Sequence, residues 1–157
     1  MTPAQRKAAA IALATAIAVP AEGIRQYAYR DSPGILSVCY GSTTNVQAGK
    51  FYSMDECKAR LTKDMLIAVN TVDRCVPGLP TNVLAAFSDA VYNIGPKIAC
   101  DTNHSTAARY LVSGNYKLAC NQLIYWNKST IHGVKIALPG LTKRRETERQ
   151  LCIKGLT

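Results

Sequence analysis

Fourteen consecutive residues, Ala8–Ala21, carry no charge, and the next residue is a carboxylate, Glu22. A run this apolar folds as a helix that must be covered, by lipid or by the rest of the chain. Arg6 and Lys7 precede it, and Val19-Pro20-Ala21 resembles a cleavage site, so the segment reads as an export signal. Fourteen residues fall short of the ~20 that a spanning helix needs. Alanine, its main component, is only weakly lipophilic, so the run would enter a membrane poorly and leave it easily. The alternative is a soluble helix, broken near Pro20, packed on the remaining chain. Residues 1–21 are therefore set apart as an N-terminal export segment, and 22–157 as one domain.

Six cysteines (39, 57, 75, 100, 120 and 152) form no CxxC pair, so zinc is not expected. Their even number points to disulfides and an oxidising compartment. Fifteen connectivities remain open. A net charge of +9 calls for an anionic partner: nucleic acid, a membrane face or an acidic polymer. The basic residues are spread out, apart from Lys143-Arg144-Arg145, with no dense stripe or nucleic-acid motif. No Gly-rich phosphate loop is present, and His104 and His132 stand alone as surface or loop residues. Neither a metal nor a cofactor is expected.

Residues 27–52 are rich in Tyr, Val, Ile, Thr and Gly, with turn signals at Ser32-Pro33-Gly34 and Ala48-Gly49-Lys50. They read as a small antiparallel sheet. Ser53-Met-Asp-Glu56 is a capping box opening a helix to about Arg74, with Cys57, Leu61, Met65, Ala68, Val69 and Val72 on one face. Thr81 is placed as the cap of an apolar helix at about 82–94, the centre of the core, stopped by Gly95-Pro96. After a loop to His104, Ser105 caps a helix closed by Gly114. Asn115 caps another that reaches Trp126. Asn127–Gly140 reads as a loop, and Thr142 caps a last helix ending at Gly155. The fold class is α+β and mainly helical, with a small antiparallel hairpin beside a helical bundle.

Most of the ten acidic residues (Asp55, Glu56, Asp64, Glu146 and Glu148 among them) lie on basic-rich helices and read as solvated or ion-paired. Glu22 differs, because apolar sequence precedes it. A carboxyl in partly apolar surroundings keeps its proton longer, as a general acid must. Asp31, before a Pro-Gly turn, would stay ionised. From composition alone, a helix-end charge and a turn aspartate remain the ordinary explanation of the pair.

A resemblance to a known family changes that weighting. Glu22-x8-Asp31-x5-Ser37, followed by Val-Cys-Tyr-Gly41, resembles the phage-type lysozymes (glycoside hydrolase family twenty-four). Tyr29–Gly34 and Ser37–Thr43 are similar to that family's active-site hairpin, and Tyr52–Lys58 with Leu61–Asp64 to its first long helix. Ala86–Gly95 is similar to its core helix. Ser105-Thr106, Trp126, Gly140–Glu148 and Cys152 are similar to its C-terminal half. The likeness covers about 22–154 and is greatest to endolysins with a signal-arrest-release segment.

The resemblance implies an N-acetylmuramidase that cuts the β-1,4 bond between N-acetylmuramic acid and N-acetylglucosamine in peptidoglycan, with inversion. Glu22 would protonate the leaving oxygen, and Asp31 would activate or orient water. Ser37 stands where the family usually has threonine; it keeps the hydroxyl and loses the methyl that restricts its rotamer. Arg144 would hold the C-terminal helix to the cleft and tune how firmly Glu22 keeps its proton. Thr43, Tyr92 and Ser105 fall at positions that line the sugar cleft in relatives. Turn residue, core aromatic and helix cap are their alternative roles.

Anionic peptidoglycan suits the +9 charge. The expected partners are its glycan strands and, transiently through residues 1–21, the inner membrane. The expected location is the host periplasm after tethering, as a monomer. Residues 1–38 contain no cysteine, so activation by disulfide exchange is not expected. Two other classes stay open: a non-catalytic cationic binder of cell-wall glycan, and a membrane-active lysis protein. A lytic transglycosylase would use an acid without a water-activating carboxylate, so Asp31 argues against it.

Overall fold

The computed structural model describes every residue except Ser32 and Thr157. Ser32 belongs to the expected turn at 32–34, so that part of the reading lies outside the described residues. The chain begins with α1 (Pro3–Glu22), then a hairpin of β1 (Arg25–Arg30) and β2 (Leu36–Cys39). It continues through α2 (Met54–Cys75), α3 (Thr81–Ile94), α4 (Lys97–Cys100), α5 (Thr106–Val112) and α6 (Tyr116–Gln122), with a 3-10 turn at Leu123–Tyr125. A second hairpin, β3 (Lys128–Ile131) and β4 (Val134–Ala137), precedes α7 (Pro139–Lys154). The α+β class, mainly helical with a small antiparallel hairpin, is what the structure has.

The core is built on α3, where every residue from Val83 to Val91 is buried, including Ser88 and Asp89. A helix buried on all sides needs covering on all sides, and α1, α2 and α7 supply it. On α1 the buried face is Ala10, Ala14, Ile17 and Ala18, spaced i, i+4, i+7, i+8. Alanines here allow close approach to α3. Thr2 and Gln5 form a reciprocal capping box at the start of α1. Arg6 then reaches Asp73 at 2.5 Å and the Leu79 carbonyl at 2.8 Å, while Lys7 reaches Asn70 at 3.0 Å. Among the described residues no helix is long and apolar enough to cross a membrane.

Several local expectations are corrected. The helix does not break at Pro20 but runs through it to Glu22. Pro20 lies in the last turn, where its missing N–H removes only one bond, and Gly23 N–H closes the turn on Val19 O at 3.2 Å. Ser53 caps α2 by accepting from Glu56 N–H, but the Glu56 carboxylate pairs with Lys50 rather than reaching back. Thr81 is the first residue of α3, not its cap. Thr142 lies inside α7, donating to Leu138 O, because Pro139 already supplies a helical φ one turn earlier. Asn115 stands at the N-cap of α6 with its side chain donating to Ser113 Oγ rather than capping the helix, whereas Ser105 does cap α5 by accepting from Ala108 N–H.

The stretch 127–140, expected as a loop, contains β3 and β4. His132 and Gly133 both have positive φ (49° and 79°), as a two-residue hairpin turn of this hand requires. Three disulfides form: Cys39–Cys57, Cys75–Cys100 and Cys120–Cys152.

Candidate active site

Glu22 is the last residue of α1, and Gly23 follows it with φ 67°. That left-handed conformation is easy only for glycine. It lets the chain leave the helix and enter β1 two residues later, so the carboxyl is delivered at the junction of helix and hairpin. The Glu22 side chain is 25% exposed. On one side, Arg144 Nη1 donates to Glu22 Oε1 at 2.5 Å. On another lies Gly41: a Cβ built there would stand 3.7 Å from Glu22 Oε2.

The hairpin holds the other two expected catalytic residues. Ser37 pairs across the ladder with Tyr29. Asp31 closes the ladder's end, its N–H donating to Ile35 O at 3.0 Å and its Oδ1 accepting from Ile35 N–H at 2.8 Å. Side chains alternate along a strand and directly opposed residues share a face, so Asp31 and Ser37 fall on one face of the hairpin. Gly34, at φ 86°, donates to Asp31 O at 2.8 Å and turns the chain there. The Ser37 hydroxyl is nearly buried and donates to Ile35 O at 3.3 Å.

Three ties fix this hairpin to the helical body. Cys39 is bonded to Cys57 of α2. The Tyr92 hydroxyl of α3 donates to Tyr40 O at 2.6 Å. Arg60 of α2 donates to Ser42 Oγ, Thr44 O and Asn45 O, gripping the loop that displays the exposed Thr43. Burial, then the nearby Glu22 charge, pushes the Tyr92 hydroxyl above its ordinary range, so Tyr92 is neutral and acts through its O–H. Ser105 is apart from these groups. Its hydroxyl is fully buried, donating to Ile98 O at 2.7 Å and accepting from Ala108 N–H, which is the helix-cap role.

Behind Glu22 stands a group of charges that periodicity did not single out. Asp89 of α3 accepts from Arg144 Nε at 2.9 Å and Nη2 at 2.8 Å, a two-point bond with fixed orientation. Burial works against the Arg144 charge, but the bonds to Asp89 and Glu22 outweigh it and hold its proton more firmly than usual. Arg145 Nη2 donates to Glu148 Oε1 and Asn93 Oδ1. Glu148, expected to be solvated or ion-paired, is fully buried, with its Oε1 2.6 Å from Arg145 Nη2. The readable signal was spacing: Arg145, Glu148 and Cys152 stand at i, i+3, i+7, so the buried face of α7 is largely charged.

A groove of about 550 Å³ runs between the end of α1 and the start of α7, lined by Ala16, Ile17, Glu22, Leu141, Lys143 and Arg144 among others. Asp31, Ser37 and Thr43 do not line it, so Glu22 has an opening on the α7 side as well as a hairpin side.

A helical body with a short hairpin set against a carboxylate at a helix end defines a class, the lysozyme-like glycosidases. Residues 20–148 match the family model described as phage lysozyme. A SAR-endolysin of bacteriophage PS119 is 38% identical over 136 residues, covering 85% of this chain and 77% of that protein. Among solved structures, the active form of the P1 phage endolysin Lyz superposes with a TM-score of 0.79 at 28% identity, covering 92% of this chain and 85% of the other. The secreted inactive form of the same endolysin gives 0.53 at 27% identity, over 73% and 77%. The chain belongs to the phage lysozyme family. It is a glycoside hydrolase, and its substrate is peptidoglycan.

Proposed function

We propose that Glu22 is the general acid of this lysozyme and that Asp31 activates or orients the attacking water. The observation that carries the reading is the setting of the Glu22 carboxyl, between the hairpin at Gly41 and the guanidinium of Arg144. A carboxyl with one face toward a cleft and a cation behind it can give a proton to a glycosidic oxygen and be stabilised once it has done so. Ser37 shares a hairpin face with Asp31 and offers a hydroxyl to the same water. Thr43 and Tyr92 border the cleft from the loop and from α3. Arg144 orients Glu22, and Ser105 acts only by starting α5.

The N-terminal segment is proposed to tether the protein to the inner membrane and, once released, to fold against the domain in the host periplasm, where the monomer acts. Support comes from α1, whose small apolar face is covered by α3 and whose last residue is Glu22. The greater likeness to the active form of the P1 endolysin than to the inactive one fits a docked α1. A tethered form that cleaves peptidoglycan as fast as the released form would sink this part.

The test of the chemistry is a peptidoglycan digest by wild type, Glu22→Gln and Asp31→Asn, with products weighed by mass spectrometry. Wild type should give reducing muramic-acid ends, and Glu22→Gln should lose on the order of 100-fold or more in kcat. Anhydro-sugar products would mean a transglycosylase, and an active Glu22→Gln would remove the general-acid role.

A further inference from the structure

Three carboxyl groups and two guanidinium groups form one contiguous cluster at the junction of α1, α3 and α7. Arg144 bridges Glu22 and Asp89. Glu148, one turn along α7, touches Asp89 and accepts from Arg145 at 2.6 Å. Asp89, Arg145 and Glu148 are fully buried and Arg144 is 6% exposed. Among the described residues Glu148 Oε2 has no hydrogen-bond donor, and neither Arg145 Nε nor Nη1 has an acceptor. Two touching carboxyls bond each other only when one of them carries a proton. Burial, then the contact with Asp89, holds the Glu148 proton well above the ordinary carboxylate range.

Three carboxylates against two guanidiniums leave an excess of one negative charge, which the partly exposed Glu22 can carry at less cost than the fully buried Glu148 or Asp89. One proton makes the cluster neutral. With Glu22 bonded to Arg144 as a carboxylate, that proton resides on Glu148. With the proton on Glu22, as general-acid catalysis requires, Glu148 ionises against Arg145, whose remaining N–H groups are unsatisfied.

We propose that the cluster holds a single proton in equilibrium between Glu148 and Glu22, so that Glu148 is a positioning residue that sets how readily Glu22 is loaded for catalysis. The inference rests on Glu22 as the general acid. The balance closes over one turnover. Glu22 gives its proton to the departing glycosidic oxygen and remains a carboxylate on Arg144. The attacking water leaves its proton on Asp31, which releases it to solvent, and the cluster takes one proton back from solvent, held on Glu148 until Glu22 is loaded again. The other groups facing this equilibrium are Tyr92 of α3, which stays neutral, Lys143 of α7 in the groove, and Asp64 of α2, which burial raises toward its neutral form.

The test is the pH profile of kcat/KM on a soluble peptidoglycan fragment, with thermal melting as a check on folding. Glu148→Gln keeps the shape and removes one negative charge from the count, so the cluster is neutral without a proton and Glu22 is harder to load. The alkaline limb should move down by about one pH unit, with kcat at neutral pH falling about tenfold and KM unchanged. Asp89→Asn should move the limb the same way, and Arg145→Gln the opposite way. A folded Glu148→Gln with an unmoved limb overturns the proposal. So does a Glu148→Gln chain that fails to fold, because an already neutral carboxyl tolerates an amide. A shift of every folded variant in one direction has the same force. If Glu22→Gln itself remains active, the general-acid reading has failed; if it is dead while the limbs stay put, only the shared proton has.

Discussion

Gly41, two residues beyond β2, lies beside the Glu22 carboxyl, and its φ of 91° is open to few other residues. In Gly41→Ala the new methyl would meet Glu22 Oε2 at an ordinary contact distance, so the strain lies in the backbone. The variant should lose about 1–2 kcal/mol of stability and more activity than that loss explains, measured by denaturant unfolding beside a turnover assay. Glu148 makes a second prediction. Its folded value is raised above the unfolded 4.5, so its contribution to stability is full below that value and is lost as pH rises through the raised one. Thermal stability should therefore decline toward alkaline pH, and Glu148→Gln should flatten the decline; an equal slope in both proteins would contradict the burial of a neutral acid. Glu22 was legible because a charge ending an apolar run is conspicuous. Asp89 and Glu148 were not, because apolar pattern says which hydrophobic side chains go inward and is silent about carboxyls that follow them with arginine partners.

Among the elements, α1 has the most consequence, since it carries Glu22 at one end and its polar anchors at the other. Arg6, helped by Lys7 and opposed by burial, holds the Asp73 carboxyl below its ordinary value, an anchor retained above the unfolded value of 3.8 and lost as pH falls through the folded one. Asp73→Asn should loosen α1 at neutral pH. Hydrogen exchange over residues 3–22 should quicken while the amides of α3 keep their protection, and activity should fall because Glu22 moves with the helix. Unchanged exchange would show that the alanine face alone suffices. Helices with an apolar stripe, α2 and α3, could be read from spacing to within a residue or two. The second hairpin could not. Every residue of β3 and β4 except Ser129 is exposed, so neither strand shows an inward face, and the turn rests on His132 adopting a left-handed φ that histidine seldom takes. Caps failed for a similar reason: Pro80 takes the N-cap position ahead of Thr81, and Pro139 begins α7 three residues before Thr142.

At the scale of the whole molecule, the disulfides join successive parts in order: hairpin to α2, α2 to α4, and α6 to α7. None reaches α1, which is held to the rest by packing and ion pairs. The closed loops span 18, 25 and 32 residues. Loop entropy grows only with the logarithm of length, so each bridge should contribute about 3–4 kcal/mol, nearly alike. Their effects on catalysis should differ all the same. Cys39 lies two residues before Gly41, and its bridge to Cys57 fixes the strand that faces Glu22. Cys120–Cys152 ties α7 from the far side, two turns beyond Arg144. Replacing Cys39 and Cys57 by serine should therefore cost far more activity at 25 °C than replacing Cys120 and Cys152, although denaturant unfolding finds similar losses of stability. Cell-wall turbidity clearing by the two double variants, each assayed where it is still folded, decides the matter. Equal activities at equal stability would mean that the Tyr92 and Arg60 bonds position the hairpin without the bridge.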